Sequence, residues 1–171
     1  DFLAPALESF SYDDRIYGWP WYVTGAALIA NLELFERRNL TPPEAGWTQA
    51  QFLDTARRLT RAADGIGPAT FGFAFSIRPG DTAVWPFLFL SGLPAPFNGD
   101  DAALEIEEED FSFLHDLAYE ARVTPPYCAA WDAETLWQRF VAQRDIAIAP
   151  LGIWAIPKLT ELGDFAVDVL P

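Results

Sequence analysis

The sequence predicts an α/β fold, because strand patterns and helix patterns alternate along its 171 residues. The clearest helix begins at Thr48, where Gln51 three positions later completes a capping box. The clearest strands are two short apolar runs, at residues 71–76 and 146–150, that are bounded by turn residues. We therefore expect one domain, residues 1–171, with a small mixed sheet flanked by helices.

An aromatic segment at residues 16–23 stands out in the first part of the chain. Aromatic and apolar residues fill it, which predicts a strand with Trp21 and Tyr22 on opposite faces. Pro20 cannot donate to a ladder, so this strand is expected to lie at an edge or to leave its sheet. The elements around it are a short helix at 2–10, a polar turn at 12–15, residues 26–31 that continue extended or turn, and a short helix at 32–38.

Capping and breaking residues mark the elements of the second part of the chain. Asp132 is an N-cap residue in front of a helix pattern that runs to about residue 143. Glycine and proline separate the other elements. These are helices at 82–90, 110–122 and 153–162 and a final strand at 165–170.

Composition and charge exclude several classes of function. The net charge of −14 argues against nucleic acid and anionic membrane surfaces as partners, since both require basic patches. Cys128 is the single cysteine and His115 the single histidine, which excludes an intrachain disulfide and a histidine-containing catalytic triad. We expect no cofactor and no metal, and the sequence has no apolar run of transmembrane length.

Three places in the sequence fit the rule that ligands of open α/β sheets bind beyond the carboxyl ends of strands. The first is Thr24, at the end of the aromatic strand. The second is a loop with Asp81 and Thr82, after the first of the two apolar runs. The third is the turn with Gly152 and Trp154, where glycine lets the backbone approach a ligand closely.

Trp154 is the most informative of these candidate ligand-binding residues. An indole face suits the C–H faces of a sugar ring, while nearby hydroxyls and carboxylates can bond the sugar hydroxyl groups. The alternative is that Trp154 only caps its helix and packs inward. Trp21 and Tyr22 are further candidates, of which at most one can face the cleft, whereas Trp47 and Trp137 are expected to pack.

Five motifs resemble, in order and with suitable spacing, those of extracellular solute-binding proteins of ABC importers, the family that includes maltose-binding protein. Together they cover essentially the whole chain. They are residues 16–23 followed by 27–31 and 34–35, Pro42-Pro43 before Trp47-Thr48, the Trp-Pro helix at 85–92, the turn 151–157 in place of a Gly-Pro-Trp turn, and the strand 165–171.

The resemblance implies a type II periplasmic-binding-protein-like fold, in which two α/β lobes close on a sugar about hinge strands and catalyse nothing. This chain would be most of the second, C-terminal lobe, with hinge strands near 16–24 and 165–171, and without the first lobe and the C-terminal helices. A sequence that starts at Asp1 and lacks methionine also suggests a processed or excised piece.

The implied partners are a carbohydrate ligand, the missing first lobe and the subunits of an ABC permease. The implied location is extracytoplasmic, in the periplasm or at the cell surface as a membrane-anchored lipoprotein. With the first lobe absent, the bare interlobe or truncated face is a candidate dimerisation surface.

Departures from the family pattern leave the identity of the sugar open. Thr24 and Thr82 stand where maltose-binding protein has an acidic sugar contact and a stacking tyrosine. Ile153 replaces a proline, and Arg144 stands where a glycine is common. Trp154 alone matches a sugar-stacking position by residue type.

Three other functions stay open on the sequence. A glycosidase or other carbohydrate-active enzyme needs two facing carboxylates, and Asp81 is the one acid expected at the cleft. A binding protein for a non-sugar solute would use the same fold. A domain used only for protein contacts would present a broad apolar patch without convergent polar groups.

Overall fold

A four-stranded mixed sheet with helices on both faces forms the body of the protein. The structure, a computed structural model, describes residues 4–21, 25–63, 69–76, 112–126 and 132–171. Its elements in chain order are α1 (Ala4–Glu8), β1 (Ser11–Tyr12), β2 (Arg15–Ile16), β3 (Ala26–Asn31), α2 (Leu32–Arg37), α3 (Gln49–Leu59), β4 (Phe71–Phe73), α4 (Ser112–His115, continued by the π-helical stretch Asp116–Glu120), α5 (Ala133–Gln138, continued by the π-helical stretch Arg139–Gln143), β5 (Ile146–Gly152), α6 (Ala155–Leu162) and β6 (Val167–Leu170).

Strand β5 lies inside the sheet, and all seven of its residues are buried. The strand order is β4-β5-β3-β6, with β4 parallel to β5 and the other two pairs antiparallel. The pairing of β5 with β3 runs from Ala26 opposite Gly152 to Ala30 opposite Ile148. The observed sheet confirms the predicted α/β class with a small mixed sheet.

The alternating side chains of β3 divide the hydrophobic core into two layers. Leu28 and Ala30 pack with α2, α3 and α4, whereas Ile29 packs with α5 and α6 on the opposite face. In the first layer the Phe52 and Phe73 rings meet edge to face, with their centroids 5.1 Å apart. Because helices cover both faces, the central strands are apolar on both sides.

Both helix starts that were predicted from N-cap residues are confirmed. At α3 the Thr48 N–H donates to Gln51 Oε1 at 2.7 Å, and the Gln51 N–H donates to Thr48 Oγ1 at 3.3 Å. At α5 the Thr135 N–H donates to Asp132 Oδ1 at 2.8 Å. Side-chain oxygens thus satisfy helix N–H groups that have no partner within the helix.

Most other predicted elements are present with small shifts in their bounds. The helices α1, α2, α4 and α6 and the strands β4 and β6 lie inside the ranges predicted for them, and β5 continues to Gly152. The polar turn at 12–15 is confirmed, with Asp13 and Asp14 at φ 47° and 56°. The helix predicted at 82–90 and Cys128 lie outside the described residues.

Strand β4 is shorter than predicted, and a proline in its neighbour accounts for this. The Ile148 carbonyl accepts a hydrogen bond from the Ala74 N–H at 3.1 Å. Pro150 lies two residues further along β5, so its main chain faces β4 as that of Ile148 does. Because proline has no N–H, it cannot donate the next hydrogen bond of the β4–β5 ladder. Residues 74–76 therefore leave strand pairing while they stay buried.

The strand predicted at residues 16–23 is wrong over the described part of that range. Only Ile16 lies in a strand, where it pairs with Ser11 in the hairpin of β1 and β2. Residues 17–21 form no strand, and Trp21 is 95% exposed. The alternating aromatic side chains of residues 17–21 do not cover the face of a sheet. The position between β5 and β6 is taken by β3, whose small and aliphatic residues fit there.

Arg144 ends the helical segment after α5 in a left-handed backbone conformation, with φ 53°. This conformation explains why a glycine is suited to the position. The Arg144 side chain connects the end of the α5 segment to α2 and to the turn between α6 and β6. Its Nη1 donates to Glu33 Oε1 at 2.9 Å, its Nη2 lies 3.1 Å from Asp164 Oδ2, and its guanidinium lies 4.7 Å from the centroid of the Phe165 ring.

Two substitutions of Arg144 distinguish the energetic cost of its left-handed backbone from the contribution of its side-chain contacts. Arg144→Ala removes the contacts and keeps the strain, whereas Arg144→Gly removes both. We expect Arg144→Gly to exceed Arg144→Ala by about 1 kcal/mol in free energy of unfolding, measured in urea, because a Cβ is disfavoured in this conformation.

Arg122 supplies the matched control. It is exposed, has φ 52°, and forms no ion pair with a described residue. Arg122→Gly should therefore be neutral or stabilising, and Arg144→Gly should be less stable than Arg122→Gly. An alanine variant at 144 that is as stable as the glycine variant would contradict the strain account.

Candidate functional site

The start of β3 and the end of β5 meet at one end of the sheet, which we call the Gly152 edge and define by Gly25 and Gly152. Because β3 is antiparallel to β5, the start of β3 lies beside the end of β5, and the Ile153 N–H donates to the Gly25 carbonyl at 2.9 Å. β4 runs parallel to β5, so its carboxyl end leads through buried Ser76 toward the same edge.

Of the three ligand-binding places predicted from the sequence, the structure describes the one at Gly152 and only the surroundings of the other two. Gly152 lies at the carboxyl end of β5, as expected. Thr24 was expected to follow a strand, but the next residue, Gly25, precedes the amino end of β3. Thr24 itself, Tyr22, Asp81 and Thr82 lie outside the described residues, so their roles stay predictions.

Gly152 accommodates the indole of Trp154. A Cβ on Gly152 would lie 2.2 Å from Trp154 Nε1, which is far inside van der Waals contact. The sequence analysis expected Gly152 to let the backbone approach a ligand closely; the indole lies where a Cβ would stand, and a ligand contact at Gly152 stays a prediction. The absence of a side chain at Gly152 thus sets the position of Trp154.

Trp154 combines features of the two roles that the sequence left open, which are contact with a ligand and inward packing. It precedes the first residue of α6 and makes no side-chain capping bond. Its indole contacts the core-packed Trp137, with ring centroids 5.6 Å apart and planes inclined by 48°. It is nevertheless 43% exposed, so part of its surface is available to a ligand.

A lysine completes an aromatic and cationic cluster at this turn. Lys158 Nζ lies 5.0 Å from the ring centroid of Trp154 and 5.8 Å from that of Trp137. We call Trp137, Trp154 and Lys158 the tryptophan–lysine cluster. It presents an indole surface for stacking and an ammonium group that can donate hydrogen bonds.

The sequence analysis missed two members of the tryptophan–lysine cluster. Lys158 had a local signal, because it follows Trp154 by four residues at the start of α6 and residues so spaced share one helix face. Trp137 was expected only to pack, and its contact with Trp154 depends on the tertiary fold. The packing predicted for Trp47 is confirmed by its ring contact with Phe52 at 5.3 Å.

Trp21 lies on a separate exposed segment. It precedes β3, as Tyr17 and Trp19 do, and these three side chains are 95%, 70% and 64% exposed respectively. No ring contact joins Trp21 to Trp154 in the part of the chain that the structure describes. The structure therefore assigns Trp21 to the surface without linking it to the cluster.

Metal and membrane features are absent from the described ranges. No three His, Cys, Asp or Glu residues there converge to hold a metal ion. None of the helices in those ranges combines the length and the apolarity needed to cross a membrane.

Solved structures share this fold. An ABC substrate-binding protein from Listeria monocytogenes in complex with cycloalternan matches 98% of this chain at TM-score 0.73 and 22% identity. A maltotriose-binding protein from Thermus thermophilus, bound with maltotriose, matches 100% of it at TM-score 0.66 and 23% identity. UgpB from Mycobacterium tuberculosis, in complex with glycerophosphocholine, matches 100% of it at TM-score 0.71 and 14% identity.

These matches define the fold class of the chain. It has the fold of one lobe of a type II periplasmic-binding-protein-like structure, with a small mixed sheet flanked by helices. The chain spans 42%, 43% and 42% of the three solved chains. No protein-family model and no curated protein matches the sequence.

The position of Trp154 can be tested with two alanine substitutions at the Gly152 edge. Gly152→Ala should displace the indole, shift tryptophan emission to the red and lower the free energy of unfolding by about 1 kcal/mol. Gly25→Ala is the matched control, because its new Cβ would make only an ordinary 3.7 Å contact with Ile153 Cγ2.

The red shift should be lost when Gly152→Ala is combined with Trp154→Phe, which assigns the emission change to this indole. Equal spectra and stabilities for Gly152→Ala and Gly25→Ala would show that Trp154 does not lie against Gly152.

Proposed function

We propose that this chain is the carbohydrate-binding lobe of an ABC importer's solute-binding protein. The observation that carries the proposal is the half-exposed indole of Trp154 at the end of the central strand β5. The fold supports it, because solved proteins of the same fold are in complex with cycloalternan and maltotriose. The lobe would capture a sugar for import and would catalyse no reaction.

Sugar recognition would divide between stacking and hydrogen bonding. The exposed surface of Trp154 would pack against the C–H face of a sugar ring, which buries apolar area that water otherwise covers. Thr24, Asp81 and Thr82 are the proposed hydrogen-bonding residues. Gly152 would act indirectly, by setting the position of the indole, and Trp21 or Tyr22 would add a second aromatic contact.

The complete binding site would need a second lobe. We infer that the chain corresponds to the second lobe, and that segments near 16–24 and 165–171 act as the hinge about which two lobes close. The first lobe and C-terminal helices would complete the enclosure, and ABC permease subunits would receive the ligand. The protein would then act outside the cytoplasm, in the periplasm or as a lipoprotein at the cell surface. When the first lobe is absent, the bare interlobe face would serve as a dimerisation surface.

A non-sugar solute is the alternative ligand class. It is favoured by one observation, namely that UgpB has a similar fold and is in complex with glycerophosphocholine. A glycosidase is less well supported, because hydrolysis needs two carboxylates placed across the substrate and Asp81 is the only acid proposed near the cleft.

The proposal is tested by titrating the chain with a panel of neutral mono- and oligosaccharides in a calorimeter. With half of the enclosure absent, we expect binding in the millimolar range, a free energy near −4 kcal/mol or weaker. Trp154→Ala should weaken it by about tenfold or abolish it, because the stacking surface is lost.

Tyr119→Ala is the control, since Tyr119 is an aromatic residue that is more exposed than Trp154, 67% against 43%, and lies with Phe71 at the opposite end of β4. It should leave sugar binding unchanged. Micromolar or tighter binding by this chain alone would refute the proposed division between two lobes, and unchanged binding by Trp154→Ala would refute the proposed site.

A further inference from the structure

We propose that Lys158 determines ligand specificity at the tryptophan–lysine cluster, by selecting solutes that carry an anionic group on a sugar ring. The inference rests on the proposed function, because it takes Trp154 as the stacking residue. Its starting point is geometric: the Lys158 ammonium lies over the rings of Trp154 and Trp137.

The charge of Lys158 has no acidic partner among the described residues. Its contacts there are the two indole rings. Four arginines of the described residues are paired with acids. They are Arg37 with Glu33, Arg58 with Asp54, Arg139 with Asp145, and Arg144 with Glu33 and Asp164. In a chain with 25 acidic and 11 basic residues, the one lysine contacts aromatic rings rather than an acid within the described ranges, so its charge is available there to a ligand.

Stacking of any ring on Trp154 changes the surroundings of the ammonium. The ammonium has to leave the indole face that it covers, and its attraction to that ring is lost. A neutral sugar offers only hydroxyl oxygens in return. A carboxylate or phosphate offers a charge-assisted hydrogen bond, which is stronger than a neutral one.

Trp137 allows the ammonium to move without leaving the cluster. Nζ already lies 5.8 Å from the Trp137 centroid, so rotation about the lysine side-chain bonds can move it off Trp154 while it stays beside Trp137. A sugar ring could then stack on Trp154 while the ammonium, over Trp137, contacts a substituent at the edge of the sugar. The four-carbon stem of lysine suits this movement better than a rigid planar guanidinium does.

The test compares three ligands that share one sugar ring: glucose, glucuronate and glucose 6-phosphate. Each is titrated to the chain at low salt, followed by tryptophan emission and by ligand-observed NMR. We expect the wild-type chain to bind at least one of the two anionic ligands about fivefold more tightly than glucose. The two anionic arms distinguish a carboxylate from a phosphate as the preferred group.

Two variants assign the preference to Lys158. Lys158→Met keeps the stem and removes the charge, so the affinity ratio of anionic to neutral ligand should fall to about one. Lys158→Arg keeps the charge and should retain a preference. High salt should reduce the wild-type ratio and leave the ratio of Lys158→Met unchanged, because added ions screen only the charged pair.

The outcomes separate this inference from the proposed function. Equal binding of glucose and both anions by the wild-type chain would overturn the role of Lys158 and leave the sugar site standing. A preference that survives in Lys158→Met would also overturn it, by assigning the selectivity to other residues. If the chain binds none of the three ligands and none of the neutral panel, the proposed function fails and this inference with it.

Discussion

The antiparallel pairing of β3 with β5 is the interaction on which the rest of this structure depends. It joins five consecutive residue pairs between buried strands, and β4 and β6 attach to its outer sides. It also sets the site, because it brings Gly25 beside Ile153 and so anchors the turn from which Trp154 projects. A change of register in this one pairing would move Trp154 relative to every other strand end.

The candidate site follows from two backbone constraints near this pairing. Pro150 offers no N–H to the β4 ladder, so strand pairing ends beyond the Ala74–Ile148 hydrogen bond, before the Gly152 edge. Gly152 leaves room for an indole against the main chain. The resulting cluster combines an exposed apolar surface with a flexible cation, which suits a ligand that has both a ring face and polar substituents.

Local chemistry in the sequence was enough to predict much of the fold. The caps at Thr48 and Asp132 depend on side chains three residues away from the N–H groups they bond, and both helices were predicted correctly. The left-handed conformation of Arg144 was not predicted, although the glycine common at this position in the family that the chain resembles is consistent with it.

Features that depend on distant partners were not predictable in the same way. Residues 17–21 have a strand pattern but no strand pairing, because β5 and β6 pair with β3 instead. The Trp137 contact is set by how α5 and α6 pack on one face of the sheet. For the candidate site, the sequence therefore singled out Trp154, whose role stays a prediction, but not the residues that surround it.

The most direct test of the central claim is a map of backbone amide chemical shifts during titration with the tightest-binding sugar of the panel. If the β3–β5 pairing builds a ligand edge, the largest changes will occur at Gly25, Gly152 and Trp154, and the amides of Thr70 and Asp145 at the opposite end of the sheet will not move. Changes centred on Thr70 and Asp145, or none at the Gly152 edge at saturating sugar, would contradict the account.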